Sequence, residues 1–332
     1  MDATQTNCPR CEAPIENSAA RFCESCGCVF REDEPIAQRP AATAPLSMSC
    51  QCSQPDLGSD GFCAECGMKP AATAQPEQEN PDTSFGEIDE KLAFHSDIGL
   101  RHHVNQDAAC CLRFGEWSLL AVSDGVSSSQ YGERASRACA DAWLARVQLS
   151  IGAGDAPEKA MAAAMRAAHA ATIALPYDPG CGLDEPEATF VAAIVGPDKI
   201  TIGWVGDSRA YALDSNGKGS LLTRDDSWMA SAMEAGMSEA EAEADPRAHA
   251  ITQCMGTRDD DPAPHVASHV LGQGQSLLLC TDGLWNYFPQ AEAIGSSHAA
   301  HPTRALHACQ ELVARANAEG GRDNITVAIW RP

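Results

Sequence analysis

WSLLAVSDGV, residues 117–126, is an apolar run that stops on an aspartate followed by a glycine. QSLLLCTDG at 275–283 repeats the pattern, and RDNITVAIW at 322–330 inverts it, with the aspartate ahead of the apolar run. Short apolar runs bounded by Gly, Asp or Asn predict strands. KLAFHSDIG (91–99), DAACCLRF (107–114), TFVAAIVG (189–196), KITIGWVGDS (199–208) and RAYAL (209–213) add five more. Alanine-rich periodic stretches predict helices at 132–149, 156–175 and 302–321. Strands outnumber helices, and KITIGWVGDS runs into RAYAL with no helix between. The fold class is therefore α+β: antiparallel sheets flanked by helices rather than a doubly wound parallel sheet.

A single Asp-Gly after a strand is ordinarily a turn. Here four acidic motifs recur: GLRHHVNQDA around Asp107, AVSDGV around Asp124, CTDGLW around Asp282 and RDNITV around Asp323. Carboxylates at strand ends can meet although distant in the chain, and carboxylate oxygens suit magnesium and manganese. Glycine after the aspartate lets a backbone carbonyl reach the same ion. The net charge of −23 argues against nonspecific nucleic-acid or anionic-membrane partners. It leaves phosphate chemistry open, provided metal ions supply the positive charge.

Taken in order, these motifs resemble the metal-dependent protein phosphatases of the PPM, or type 2C, family. The resemblance covers roughly residues 92–331 and includes GWVGDSRAYAL (203–213), LTRDDSW (222–228) and DPRAHAITQCMG (245–256). It implies a sandwich of two antiparallel sheets flanked by helices, and hydrolysis of phosphoserine and phosphothreonine in proteins. It implies two Mn2+ or Mg2+ ions, with a third possible, and a water activated between two of them. Asp124 would bridge two ions, and the carbonyl of Gly125 would bind one of them. Asp282 and Asp323 would complete the other ion. Asp107 would either ligate or hold a metal-bound water. Arg101 matches the arginine that grips the substrate phosphate. Asp207 and Asp226, with Ser227, match the place of a third ion, Asp225 being an alternative to Asp226. Residues 224–265 correspond to the family's flap, and MASAMEAGMSEAEAEADP within it reads as an acidic helical stretch.

The chain departs from the family pattern at two places. Gln106 stands where many members have Glu, and Val126-Ser127 stands where eukaryotic members often have His. Protonation of the leaving group then falls to a metal-bound water, or to His102 or His103. These departures keep a second reading open: a catalytically silent PPM-fold module that binds phosphoproteins. The one Cys-x5-Arg spacing, Cys309 to Arg315, lies inside the stretch read as a helix and forms no phosphate loop, so a cysteine nucleophile is not expected.

Nine of the 16 cysteines fall within the first 66 residues. Cys8, Cys11, Cys23 and Cys26 form one set of four, and Cys50, Cys52, Cys63 and Cys66 a second. Each set follows the two-knuckle spacing of tetrahedral zinc, in a segment too short to bury a core of its own. Both resemble zinc ribbons. The expected organisation is ribbon 1–30, linker 31–47, ribbon 48–70, linker 71–87 and phosphatase domain 88–332. Two structural Zn2+ ions follow. Residues 1–90 hold five Lys/Arg against 16 Asp/Glu, which favours protein docking by the ribbons over nucleic-acid binding. The seven later cysteines lack paired spacing and read as core. No secretory leader pattern and no membrane-length apolar run is found, so a cytoplasmic location is expected. The expected partners are phosphorylated proteins, including a serine/threonine kinase or its substrates.

Overall fold

The computed structural model describes residues 83–258 and 262–332. The two cysteine sets, Cys8 to Cys26 and Cys50 to Cys66, lie outside the described residues, as does the first linker.

Two antiparallel sheets stack face to face. The first, in spatial order, holds β1 (Thr83–Asp89), β2 (Leu92–Asp97), β11 (Ile325–Trp330), β10 (Ser276–Cys280), β7 (Arg209–Leu213) and β8 (Gly219–Leu221). The second holds β3 (Asp107–Phe114), β4 (Trp117–Gly125), β5 (Ala188–Val195), β6 (Ile200–Val205) and β9 (His265–His269). Helices α1 (Gly132–Gly152) and α2 (Pro157–Ile173) cover the outer face of the second sheet. Helices α5 (Asp282–Trp285), α6 (Ala291–Ala300) and α7 (Ala305–Ala318) cover the outer face of the first. Helices α3 (Trp228–Glu234) and α4 (Glu239–Glu243) lie in the flap segment.

The strand period of two explains this layering. Along β4, Leu119 and Ala121 pack against α1 and α2, while Leu120 and Val122 face the opposing sheet. Along β5, Phe190, Ala192 and Ile194 go outward to the helices, and Val191, Ala193 and Val195 go inward. Both faces of these strands are covered, which is why they read as unbroken apolar runs. Each fully buried Leu or Ile in the middle layer contributes about 1.5–3 kcal/mol. Cys111, Cys139, Cys280 and Cys309 are buried and unbridged, in agreement with a core role, whereas Cys110 and Cys254 are half-buried and Cys181, in a turn, is exposed.

The architecture matches the expected sandwich, with four differences in detail. β1 starts at Thr83, so the linker expected over 71–87 ends earlier; TSFGEID is paired antiparallel to β2 along its length. β8 and β9 went unpredicted because they are short and polar, and both are edge strands. The strand expected over 275–283 stops at Cys280, and Asp282 opens the short helix α5. The acidic stretch expected as one helix is two, broken at Gly236 (φ +98). No helix among the described residues is long and apolar enough to cross a membrane.

Candidate active site

The aspartates meet where one end of the two sheets comes together. Asp107 and Asp124 stand directly opposite each other on β3 and β4. β10 and β11 deliver Asp282 and Asp323 from the other sheet. Thr281 joins the two sheets: its hydroxyl donates to Asp107 Oδ2 at 2.9 Å and accepts from the Thr326 amide at 3.0 Å. Beneath this, the Ser96 and Thr326 hydroxyls bond at 2.7 Å, and Asn105 Nδ2 donates to Ser96 Oγ at 2.9 Å.

Facing carboxylates on paired strands repel, and burial weakens the water that would screen them. Burial, aided by the negative charges of Asp323 and Asp282, pushes the Asp107 carboxyl up to about 8. Burial and the charges of Asp107, Asp282, Asp323 and Asp207 hold Asp124 well above the usual carboxylate range. Asp282 is raised to about 7 by burial and by Asp323, a rise opposed by hydrogen bonds with Asp124 and Asn286. Asp207 is raised by burial and by the charges of Asp282 and Asp225.

This donor set fits hard divalent cations. Asp107 Oδ1 and Asp282 Oδ1 are buried side-chain oxygens with no hydrogen-bond partner, and the cluster is all oxygen. Among the described residues no three acidic, His or Cys side chains are already gathered in the contact geometry of one ion. The carboxylates lie within electrostatic reach of one another, and Asp282 and Asp124 are close enough to hydrogen-bond. Gly125 packs so tightly that a Cβ there would lie 2.3 Å from the Gly132 carbonyl oxygen. Its amide donates to the Gln106 carbonyl at 3.1 Å.

The loop between β2 and β3, which carries Arg101, runs beside Asp323. Gly99, at φ +76, approaches the Asp323 carbonyl so closely that a Cβ would sit 2.1 Å from it. Leu100 N donates to Gly321 O at 2.7 Å. Asn324 fastens the loop from below: it accepts from Gln106 N at 2.8 Å and donates to Ile98 O at 2.8 Å and Val104 O at 3.2 Å. The Arg101 side chain is exposed and pairs with no carboxylate among the described residues. His102 Nε2 lies 3.3 Å from Asp323 Oδ1. His103 is exposed, and His95 packs beside Phe85 on β1. Ser127 Oγ donates to Gln106 Oε1 at 3.4 Å.

Asp207 and Asp226 differ in placement. Asp207 is buried at the β6–β7 turn, within reach of Asp282's charge, and its carbonyl accepts from Trp285 Nε1 at 2.9 Å. Asp226 has both oxygens engaged by the protein. Oδ2 accepts from Gly206 N at 2.9 Å, and Oδ1 lies 2.8 Å from His265 Nε2 and 3.2 Å from Gln253 Nε2. Asp225 forks onto Arg209 at 2.7 and 3.0 Å, and the Arg209 guanidinium stacks 3.7 Å from the Trp285 ring centroid. Sequence reading missed Thr281, Thr326, Ser96 and Asn324. The available signal for Thr281, Asn324 and Thr326 was their position beside Asp282 and Asp323, within motifs already singled out; Ser96 lies in a stretch read only as a strand.

Comparison with known proteins places this arrangement. The serine/threonine phosphatase Stp of Listeria innocua is 28% identical over 248 residues, covering 71% of this chain and 93% of its own length. A solved Streptococcus structure, the S. agalactiae serine/threonine phosphatase, is 26% identical, covers 74% of this chain and 98% of its own, and superposes with a TM-score of 0.60. The catalytic domain of the phosphatase PstP, solved in complex with two manganese ions, shares the fold at 24% identity and a TM-score of 0.56, covering 74% of this chain and 96% of its own. The family description Protein phosphatase 2C matches residues 100–320, a span that holds Arg101 and the first three aspartates and stops just short of Asp323. That match takes in well over half of the sequence, and the chain belongs to the protein phosphatase 2C family.

Proposed function

We infer that the chain is a protein serine/threonine phosphatase that hydrolyses phosphoserine and phosphothreonine with divalent metal ions held by its aspartate cluster. The single observation that carries this is the convergence of Asp107, Asp124 and Asp282 from two sheets, with buried oxygens of Asp107 and Asp282 left without partners. The phosphatase relatives support the substrate class.

Asp124, the Gly125 carbonyl, Asp282 and Asp323 would hold the two ions, and Asp107 would ligate or orient from the β3 side. The manganese-bound relative supports Mn2+ or Mg2+. When bound, such ions supply Lewis-acid charge and a lowered pKa for water. The chain's own residues do the rest. Thr281 fixes the rotamer of Asp107. The buried floor excludes bulk water and so strengthens every charge interaction with the phosphoryl group. Arg101, paired with no carboxylate among the described residues, is available to clamp the phosphoryl oxygens. Asp207 supports a third ion site, to which Asp226 can add its Oδ2, an oxygen that accepts one N–H from Gly206 and keeps a second lone pair. The test is hydrolysis of p-nitrophenyl phosphate and a phosphothreonine peptide with Mn2+. Chelator should abolish turnover, and Asp282→Asn should remove nearly all of it. Equal rates for wild type and Asp282→Asn would refute the assignment.

The same proposal gives the N-terminal segment two zinc ions, one on Cys8, Cys11, Cys23 and Cys26 and one on Cys50, Cys52, Cys63 and Cys66, as modules 1–30 and 48–70 that dock phosphorylated partners or their kinase in the cytoplasm. Paired cysteine spacing supports it. Elemental analysis of the protein purified under reducing conditions should find about two zinc per chain; none would overturn it.

A further inference from the structure

One residue beside the cluster has a conformation that core packing does not explain. Tyr131 is the only non-glycine residue with positive φ among the described residues, at φ 55 and ψ 43. That conformation costs about 1 kcal/mol or more and persists only when the surroundings impose it. The neighbours on both sides impose it. Gln130 is buried, and its side-chain amide pairs with the Asp178 backbone, accepting from N at 2.9 Å and donating to O at 3.0 Å. Its own N donates to Asp184 O at 2.9 Å. Ser129 Oγ donates to Val126 O at 2.8 Å and accepts from Glu187 N at 3.3 Å. On the other side, Gly132 is wedged against Gly125 and the Gln106 amide. Pinned between these, the chain turns at Tyr131, and its ring is left 45% exposed.

The ring stands seven residues after Asp124, on the turn into α1, whose first residue Gly132 packs against Gly125. It already takes a cation on one face: the Arg134 guanidinium lies 5.1 Å from its centroid. Beside it, residues 177–187 form a turn hydrogen-bonded to residues 126–130. Tyr177 on that turn carries the Arg258 guanidinium at 4.6 Å. Asp184, whose backbone is bridged to Ser129, is exposed, and its carboxylate has no cationic partner among the described residues. The backbone bonds of Ser128 and Gln130 to Asp184 bring this exposed aromatic residue and this exposed carboxylate onto neighbouring turns, and an aromatic face with a carboxylate is complementary to a guanidinium or ammonium.

Building on the phosphatase reading above, we propose that Tyr131 and Asp184 form a rigid platform beside the phosphate cleft that receives an arginine or lysine side chain flanking the phosphorylated residue of a peptide substrate. The platform is preorganised, because the backbone is fixed before any peptide arrives. It acts through substrate positioning and touches none of the reacting atoms.

The test uses the full chain with Mn2+ and two phosphothreonine peptides that differ only in carrying Arg or Ala beside the phosphoresidue. p-Nitrophenyl phosphate, too small to reach the platform, serves as the third substrate. Tyr131→Gly is the informative variant, because glycine adopts positive φ without strain and the fold is retained. Wild type should prefer the Arg peptide. Tyr131→Gly should raise KM for the Arg peptide about three- to tenfold, with kcat and turnover of p-nitrophenyl phosphate moving less than twofold. Tyr131→Phe should restore the preference, and Asp184→Asn should lose part of it. A wild type that does not distinguish the two peptides would overturn the platform while leaving the phosphatase reading intact. Equal losses on both peptides, or on p-nitrophenyl phosphate as well, would overturn it too. No hydrolysis of any substrate would sink the phosphatase reading and the platform together.

Discussion

Asp282→Asn should stabilise the metal-free protein while destroying its activity, and the two effects have one cause. In the absence of divalent ions, Asp282 is held against Asp124 and Asp323 in a buried site, with its carboxyl raised from the ordinary 3.8 to about 7. At about 1.36 kcal/mol per tenfold change in proton affinity, that rise corresponds to about 4 kcal/mol of destabilisation once the pH exceeds both values. The sign follows from proton counting. Between 3.8 and about 7 the native state keeps a proton that the unfolded chain has lost, so stability falls as pH rises through this window and is level above it. Asparagine removes the charge and keeps the acceptor for Asn286 Nδ2, 3.2 Å away in the wild type. It also gains an N–H to offer Asp124. The gain at pH 8 should be about 2–4 kcal/mol, or roughly 5–10 °C in Tm for a domain of this size. Thermal unfolding in chelator at pH 8 and at pH 4 reads it directly: the variant melts higher at pH 8, and the advantage vanishes at pH 4. Saturating Mn2+ removes most of the variant's advantage, because an ion at 100 times its Kd adds about 2.7 kcal/mol to the wild type alone. A variant that melts below wild type in chelator at pH 8 would refute the electrostatic account of the cluster.

Two further outcomes test the loop that carries Arg101. Asn324→Ala removes three part-buried hydrogen bonds that fasten residues 98–106; unfolding should show a loss of about 1–3 kcal/mol, with kcat falling as the loop loosens. Arg101→Ala, at an exposed side chain with no carboxylate partner among the described residues, should leave Tm within about 1 °C and lower kcat/KM on a phosphopeptide by roughly a hundredfold.

The sandwich was legible because its central strands are covered on both faces, so TFVAAIVG and QSLLLC announce themselves by composition alone. β1, β8 and β9 were not, because an edge strand needs only one packed face and TSFGEID, GSL and HVASH are largely polar. The aspartates were legible as motifs, and their convergence agrees with the register of β3 with β4 and of β10 with β11. What the motifs could not reveal was which oxygens are already in use. Asp207 and Asp226 look alike in sequence, each in an acidic turn. One is buried within the field of Asp282, and the other serves as a hub for Gly206, Gln253 and His265. That difference is set by His265 and Gln253, tens of residues away, and no local pattern encodes it.

The tight approaches around the cluster explain how a fold can hold four mutually repelling carboxylates in place. Repulsion of this kind would push strand ends apart if the backbone could yield. Here it cannot: Gly125 is closed against Gly132, Gly283 against Asn324 and Gly99 against Asp323, each with a gap that would place a Cβ within 2.3 Å of a carbonyl oxygen. Thr281 ties the two sheets at the same point. The middle apolar layer, from Leu120 and Val122 across to Leu277 and Leu279, opposes separation of the sheets with several fully buried side chains, each contributing about 1.5–3 kcal/mol. The cluster is therefore strained electrostatically while its backbone stays rigid, which favours counter-charge from bound cations over relief by movement.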